Sequence, residues 1–262
     1  MTVYEVYFWI TILLCIGIFQ NSLGDLLLGL RNPAIMNFKI ARQRMVSRYA
    51  RWYRFFYDSP GVWWVKIGVI LCAALSICVL LLELNPTIPL VLIFLLQLLS
   101  HPRWQLFVTS DSPLLRAVLF ALILYYTFPQ NEVIAEMGLF FVSAYVSLIY
   151  FFTSVQKFKS QAWRNGVAMI HFANKSPFWV RSGLASGSNW FLKTTTWGVI
   201  FFELLFFSGL FSPQVAIAFM IIGFLFHGVL SLSMGINHFF WTFLACYPAY
   251  FYASGKILLL MS

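Results

Sequence analysis

Lys157, Glu203 and His227 are ionisable residues within or beside long apolar stretches of this 262-residue sequence. Ionisable groups at membrane depth are energetically costly, so by default they mark candidate functional sites. A lysine removed from water can act as a general base near neutral pH. Lysine near a helix end also extends readily to the lipid headgroups, and the spacing alone favours that structural role for Lys157.

Glu203 lies about halfway through its apolar stretch, between Trp197–Phe202 and Leu204–Phe207. A carboxyl group there either stays protonated or pairs with a cation or a hydrogen-bond donor. His227 lies in the middle of residues 221–232, and histidine can donate or accept a proton near neutral pH. A single interhelical hydrogen bond is the simpler role, and the position of His227 alone slightly favours it.

Asp111 is a fourth polar residue, in the segment Thr109-Ser-Asp111-Ser-Pro113 before another apolar stretch. Aspartate is favoured at the N-cap of a helix, and proline is favoured in the first turn. We therefore predict that Asp111 caps a helix, with a role in a polar site as the alternative.

The remaining motifs argue against several common chemistries. The histidines show no i,i+4 pair and no carboxylate at ligand spacing, so we predict no metal site; they are His101, His171, His227 and His238. The sequence has no phosphate-binding loop, dinucleotide fingerprint or haem-attachment motif. All cysteines lie in apolar segments without a Cys-x-x-Cys pair, which disfavours a disulfide oxidoreductase; they are Cys15, Cys72, Cys78 and Cys246.

The elements that carry these residues are membrane helices. The chain is 61% apolar and 10% charged, and continuous apolar runs of about 18 residues or more span a bilayer. The runs are continuous and do not alternate, which excludes a β-barrel. We predict an all-α integral membrane protein, a bundle of about seven or eight transmembrane helices. The predicted spans lie near residues 5–28, 62–84, 88–100, 114–129, 137–155, 195–211, 214–234 and 238–255.

The segment 88–100 is short, so it is either re-entrant or extends through Trp104 to Phe107. Residues 1–20 lack the basic start of a cleaved signal peptide, so the first segment is predicted to be a retained span. The whole chain, residues 1–262, is predicted to form a single membrane domain.

Two basic segments, residues 32–60 and 157–193, are predicted to carry amphipathic helices at the membrane surface. Basic and aromatic residues on one helix are typical of an element in the interface plane. In the first segment arginines recur at helical spacing among aromatic residues; they are Arg44, Arg48 and Arg51, with Tyr49, Trp52, Tyr53, Phe55 and Phe56. In the second we predict one short helix over Gln161–Ala173.

Charge predicts the orientation and the general partners. Every Lys and Arg except Lys256 falls on one predicted face, and the acids Glu5, Glu83, Glu132 and Glu136 fall on the other. The positive-inside rule then places the N-terminus outside and the basic loops in the cytoplasm. A net charge of +9 suits anionic lipid headgroups as partners. Nucleic acid is disfavoured, because the basic residues flank spans and form no separate domain.

The run Ser154-Val-Gln-Lys157-Phe…Trp163-Arg-Asn165-Gly166 resembles the Gly-Leu-x-Lys-Leu…Trp-x-x-Gly signature of the HTTM family. These are membrane domains related to the vitamin K-dependent γ-glutamyl carboxylase. Residues 110–116, 201–206 and 226–239 resemble further motifs of the family, so the similarity covers essentially the whole chain in order.

The resemblance implies a catalytic base at Lys157 that deprotonates a reduced isoprenoid quinone, so that oxygen can attack it. Polarity and resemblance together place Lys157, His227, Glu203 and Asp111 at a catalytic site, with Trp163, Asn165 and Gly166 on its substrate side. The carboxylase's β-rich soluble domain is missing here, so carboxylation of protein glutamates is not expected. The resemblance places the base on the lumenal side, whereas the charge bias places Lys157 on the cytoplasmic side.

Two functions remain open from the sequence. One is a membrane enzyme of HTTM type with a quinone or another lipid-soluble substrate. The other is a non-catalytic scaffold, or a maturation or export partner of a small secreted peptide, among other membrane subunits. A transporter is disfavoured, because no matching pair of interrupted helices occurs in the two halves. For the enzyme, we predict that Lys157, Glu203 and His227 converge on one cavity. We expect Trp163 and Asn165 to roof it, with Asp111 closing it from the neighbouring loop.

Overall fold

The computed structural model describes residues 1–31, 61–104, 111–169, 189–234 and 237–261. Regular structure in these ranges is helical throughout and contains no strand. The helices are α1 (Val3–Arg31), α2 (Gly61–Leu81), α3 (Thr87–Trp104), α4 (Asp111–Thr127), α5 (Glu132–Lys159), α6 (Gln161–Arg164), α7 (Asn189–Leu205), a 3₁₀ helix (Phe206–Phe211), α8 (Pro213–Met234) and α9 (Asn237–Met261). The prediction of an all-α membrane protein is confirmed.

Six helical segments in the described ranges are long and apolar enough to cross a membrane: Val3–Arg31, Gly61–Leu81, Glu132–Lys159, Trp190–Phe211, Pro213–Leu232 and Phe239–Met261. Two shorter apolar helices, Thr87–Leu99 and Pro113–Thr127, correspond to the remaining predicted spans. Helix α3 continues to Trp104, and Phe107, where the longer interpretation of that segment ends, lies outside the described residues. Because a helix satisfies its backbone hydrogen bonds internally, such segments are suited to hydrocarbon.

The predicted helix over Gln161–Ala173 is not continuous: it breaks at residues 165–166, residues 167–169 are helical again, and residues 170–173 lie outside the described residues. Helix α6 ends at Arg164, and the chain turns at Asn165 and Gly166. Gly166 has a φ of 78°, a left-handed conformation that glycine adopts without steric penalty. The sequence predicted an amphipathic element but did not show this conformational requirement. The predicted surface helix within residues 32–60 lies outside the described residues.

The chain divides into two compact units. One comprises residues 1–10 and 136–262, and it contains Lys157, Glu203 and His227. The other comprises residues 11–135 and contains Asp111. Within the second unit, Lys66 forms an ion pair with Asp25 at 2.5 Å, and the Thr11 and Tyr126 hydroxyls lie 3.1 Å apart.

The core of the first unit is aromatic. Tyr150 on α5 is buried, with only 2% of its surface exposed. Its ring lies 5.5 Å from that of Phe202, 4.2 Å from Phe206 and 5.0 Å from Phe243, measured between centroids. Aromatic rings at these separations pack favourably in tilted or edge-on arrangements. The cluster therefore fixes α5 against α7, the 3₁₀ helix and α9.

Candidate functional site: a lysine–glutamate pair between two spans

The Lys157 ammonium on α5 donates a hydrogen bond to Oε1 of Glu203 on α7. Both partners are largely buried, because the side chain of Lys157 is 17% exposed and that of Glu203 is 5% exposed. A carboxylate withdrawn from water requires a charged or hydrogen-bonded partner. Two states were expected for Glu203: a protonated carboxyl, or a carboxylate paired with a cation or a hydrogen-bond donor. Lys157 supplies the partner that the second state requires.

The side chain of Lys157 turns into the span and not out to the headgroups. Thr153, one helical turn before Lys157 on α5, also contacts Glu203, with 3.3 Å between Oγ1 and Oε2. The Glu203 carboxylate therefore lies beside the turn that precedes Lys157. Side chains on a helix lean towards its N-terminus, and here that direction leads to a carboxylate. The expectation that Lys157 extends to the headgroups is wrong for this reason.

Thr153 has three oxygen acceptors around a single hydroxyl hydrogen. Its Oγ1 lies 2.9 Å from the carbonyl oxygen of Ile149, 2.9 Å from that of Tyr150 and 3.3 Å from Glu203 Oε2. A hydroxyl group donates one hydrogen and accepts through its lone pairs. Thr153 can therefore donate to an ionised Glu203, or donate to a backbone carbonyl and accept from a protonated Glu203.

Trp163 covers the outer side of this pair. The Lys157 Nζ lies 5.2 Å from the centroid of a Trp163 ring, within the range of a cation–π interaction. Helix α6 carries Trp163 after the helical break at Ser160. Trp163 therefore lies beside Lys157, and its place in the roof of a cavity shared with Glu203 and His227 stays a prediction. The neighbouring Asn165 is exposed and its backbone N–H donates to the carbonyl of Gln161 at 3.0 Å, so its place in a roof stays a prediction.

Gly166 has a structural role at this site. A Cβ atom at Gly166 would lie 3.1 Å from the backbone nitrogen of Lys193 and 3.3 Å from the carbonyl carbon of Leu192. The turn after α6 therefore packs directly against the first turns of α7. This contact holds Trp163 near Lys157, and a role for Gly166 in substrate binding stays a prediction.

His227 forms a second polar contact on the same helix α5. Its Nε2 lies 2.7 Å from the Tyr150 hydroxyl, and the residue is 4% exposed. The imidazole stacks on Phe243, with centroids 4.4 Å apart and 18° between the planes. A hydrogen bond from α8 to α5 is the simpler role expected for His227, and that hydrogen bond is present.

The other ring nitrogen of His227, Nδ1, has no hydrogen-bond partner among the described residues. A buried donor without a partner is rarer in proteins than an under-satisfied acceptor. This favours the tautomer with its hydrogen on Nε2, which donates to the Tyr150 oxygen. The Tyr150 hydrogen then points to the Tyr247 hydroxyl, 3.5 Å away.

Tyr247 reaches this position because Gly223 on α8 has no side chain. A Cβ atom at Gly223 would overlap the Tyr247 hydroxyl. The hydroxyl of Tyr250, one turn along α9, donates to the carbonyl of Phe206 in the 3₁₀ helix. The hydroxyl groups of Tyr247 and Tyr250 thus provide hydrogen-bond partners for the Tyr150 hydroxyl and the Phe206 carbonyl inside the apolar core.

Tyr150, Thr153 and Lys157 were not linked by the sequence analysis, yet they share one face of α5. Their spacing of three and four residues is the signal that would have found them. It is weak here, because tyrosine and threonine are common in apolar spans. Seven residues of helix rise about 10 Å, and that separates the His227 contact from the Lys157 contact along α5. Convergence of Lys157, Glu203 and His227 on a single cavity stays a prediction.

Asp111 belongs to the other compact unit. Helix α4 begins at Asp111 and has Pro113 in its first turn, as predicted from the capping pattern. The side chain of Asp111 lies outside the described residues, so its capping contact and its functional role both stay predictions.

The described residues hold no group of three or more His, Cys, Asp or Glu side chains arranged to bind a metal ion. An all-α fold with several membrane-length helices, and a lysine–glutamate pair buried between two of them, defines the class: a multi-pass helical membrane protein. No family model, curated protein or solved structure matches the chain. The resemblance to the HTTM family therefore stays a prediction.

Proposed function

We propose that this protein is a membrane enzyme of HTTM type, in which Lys157 is the base that acts on a lipid-soluble substrate such as a reduced isoprenoid quinone. The observation that supports this proposal is the buried Lys157–Glu203 pair under Trp163. An ionisable pair inside a membrane protein marks a candidate functional site.

A base must accept a proton, so Lys157 has to release one first. Among the described residues, Glu203 is the carboxylate in contact with it. Transfer of that proton to Glu203 leaves a neutral amine and a neutral acid, and a low-dielectric site disfavours separated charges. The proton arrives on Oε1, and Thr153 contacts the other oxygen, Oε2, to which its hydroxyl can donate. The amine is free to take a proton from an acidic hydroxyl of the substrate.

The surroundings suit such a substrate. Lys157 is the more exposed partner of the pair, so it is the one that a ligand would reach. Aromatic side chains favour the stacking of a planar ring. His227 would assist catalysis, and Asn165 and Gly166 would border the substrate. The proposed orientation, from charge, has the N-terminus outside and the basic loops in the cytoplasm.

A second candidate is a non-catalytic scaffold or maturation partner within a membrane complex. It is favoured by the contacts of Glu203, because Lys157 engages one carboxylate oxygen and Thr153 the other. A carboxylate satisfied in this way can fix α5 against α7 without taking part in a reaction. Buried ion pairs have such a role in some proteins.

Substitution of Lys157 by alanine and by arginine separates the two functions. Arginine keeps a positive charge for Glu203 but does not lose its proton in proteins. Lipids and quinones that copurify with the wild type, identified by mass spectrometry, provide the substrate for a turnover assay. If Lys157 is the base, both variants lose turnover, while Lys157→Arg keeps the fold. Full activity in Lys157→Arg would end the enzyme proposal. Lys256→Ala is the control, because Lys256 pairs with Glu136 at a solvent-exposed position.

A further inference from the structure

One end of the first unit carries cations that form no ion pair with a carboxylate of the described residues. Residues 158–202 contain no Asp or Glu, but they contain five basic residues: Lys159, Arg164, Lys175, Arg181 and Lys193. Glu203, the next acid along the chain, is buried and bound to Lys157. The segment 158–202 therefore has an excess of positive charge in its sequence.

The fold brings three of these cations to the same end of the unit. Lys159 is the last residue of one membrane-length helix, and the next membrane-length segment begins at Trp190. Arg164 follows in α6, two residues before Gly166, which packs against the backbone of Lys193. Lys159, Arg164 and Lys193 are all exposed, and none of them forms an ion pair within the described ranges.

Large aromatic side chains accompany these cations. Trp190 is 74% exposed and Phe158 is 51% exposed, and each is adjacent to or near a cation at the end of a span. Aromatic rings of this kind are enriched at the boundary between hydrocarbon and headgroups. Exposed rings beside cations at the end of a span are therefore typical of a surface that meets lipid headgroups.

We propose that Lys159, Arg164 and Lys193 form a binding surface for the phosphate headgroups of anionic phospholipids, with Phe158 and Trp190 against the adjoining glycerol and acyl groups. Three unneutralised cations repel one another, and a headgroup phosphate supplies the missing negative charge. A phospholipid also places hydrocarbon beside the exposed rings, which a free phosphate ion does not. The binding surface is independent of any chemistry at Lys157.

The opposite end of the same unit provides a control. Lys256 lies five residues before the end of α9 with its side chain partly exposed, but it is 2.6 Å from Glu136. Tyr252 donates to the same carboxylate oxygen at 3.1 Å. Loss of Lys256 changes the net charge as much as loss of Lys193 does, yet it removes a cation that the protein already neutralises.

The test uses the full-length protein in nanodiscs that contain phosphatidylglycerol and phosphatidylcholine with identical acyl chains. Native mass spectrometry measures the ratio of the two lipids that stay bound. We expect phosphatidylglycerol to be preferred, and each of Lys159→Gln, Arg164→Gln and Lys193→Gln to lower that preference about five-fold. Lys256→Gln should leave it unchanged, and high salt should weaken it.

Three results would overturn the proposal. One is an unchanged preference for phosphatidylglycerol in the variant that combines Lys159→Gln, Arg164→Gln and Lys193→Gln. Another is an equal loss in Lys256→Gln, because net charge alone would then explain the binding. The third is no preference for phosphatidylglycerol in the wild type together with salt-sensitive binding of a polyglutamate peptide, which would assign the surface to an acidic protein partner.

Discussion

Lys157 lies two residues from the end of α5, yet its ammonium binds the Glu203 carboxylate inside the span. A lysine at this position has headgroups and water within reach, so the inward conformation must be stabilised by its partner. Removal of one partner leaves the other as an uncompensated charge in a poorly solvated site. The pair should therefore behave as one unit when it is mutated.

We predict that Glu203→Leu destabilises the protein by about 3 kcal/mol, because it leaves the Lys157 ammonium without a counter-ion. The double variant Lys157→Leu/Glu203→Leu should regain most of that loss, since neither charge remains. Thermal unfolding in detergent, monitored by circular dichroism, measures the stability of the single and the double variant. Additive effects of the two substitutions would contradict the prediction, because additivity means no coupling.

Thr153→Val should destabilise the protein by about 1–2 kcal/mol, because a methyl group replaces the hydroxyl partner of Glu203 Oε2. Thr153→Ser keeps the hydroxyl and should stay near the wild type. Infrared difference spectroscopy of the Glu203 carboxyl, identified by its loss in Glu203→Gln, provides a readout that packing alone does not move. An identical carboxyl band in Thr153→Val and wild type would exclude this hydrogen bond.

The positions of the spans could be predicted from the sequence, whereas their packing faces could not. Continuous apolar runs predicted every membrane-length helix that the structure describes, because hydrocarbon tolerates little else. In a soluble helix the buried face is apolar and the exposed face polar. Here exposed residues such as Leu75 and Ile221 are as apolar as buried ones such as Leu90 and Leu119, so the core face had no distinct pattern.

The candidate site could be predicted only in part from the sequence. Lys157 and Glu203 stand out because a charge in hydrocarbon is costly. Tyr150 is one of 12 tyrosines in a chain with 29 phenylalanines, so nothing in its type marked it as the partner of His227. The inward direction of Lys157 depends on the contact between α5 and α7, which no local pattern encodes.

Tyr150→Phe should destabilise the protein more than His227→Phe. The first substitution leaves Nε2 of His227 without its hydroxyl partner, in addition to Nδ1, at a loss of about 1–3 kcal/mol. The second removes both ring nitrogens and leaves Tyr150 near the hydroxyl of Tyr247. Comparison of the thermal unfolding midpoints of the two variants tests which one loses more stability. A larger loss for His227→Phe would indicate a partner for Nδ1 beyond the described residues.

Gly223→Ala should destabilise the protein by about 1–3 kcal/mol, because the added methyl overlaps the Tyr247 hydroxyl and the core must shift. Gly223→Ala combined with Tyr247→Phe should recover part of this loss. Gly198→Ala is a matched control, since a Cβ atom at Gly198 meets no atom within 4 Å. It should be neutral or slightly stabilising, as alanine is a better helix former. Equal effects of Gly223→Ala and Gly198→Ala on stability would contradict the prediction, because the overlap with Tyr247 would then have no cost of its own.

Gly166→Ala should expose Lys157 as well as weaken the fold. The φ of 78° at Gly166 disfavours alanine by about 1 kcal/mol, and the new methyl would lie 3.1 Å from the Lys193 backbone nitrogen. Helix α6 must then move away from α7, and it carries Trp163 with it. Lys157 should react faster with an amine-directed reagent, located by peptide mass spectrometry, as it should in Trp163→Ala. Lys256 in the same sample provides the internal reference. Unchanged reactivity of Lys157 in both variants would show that Trp163 does not shield it.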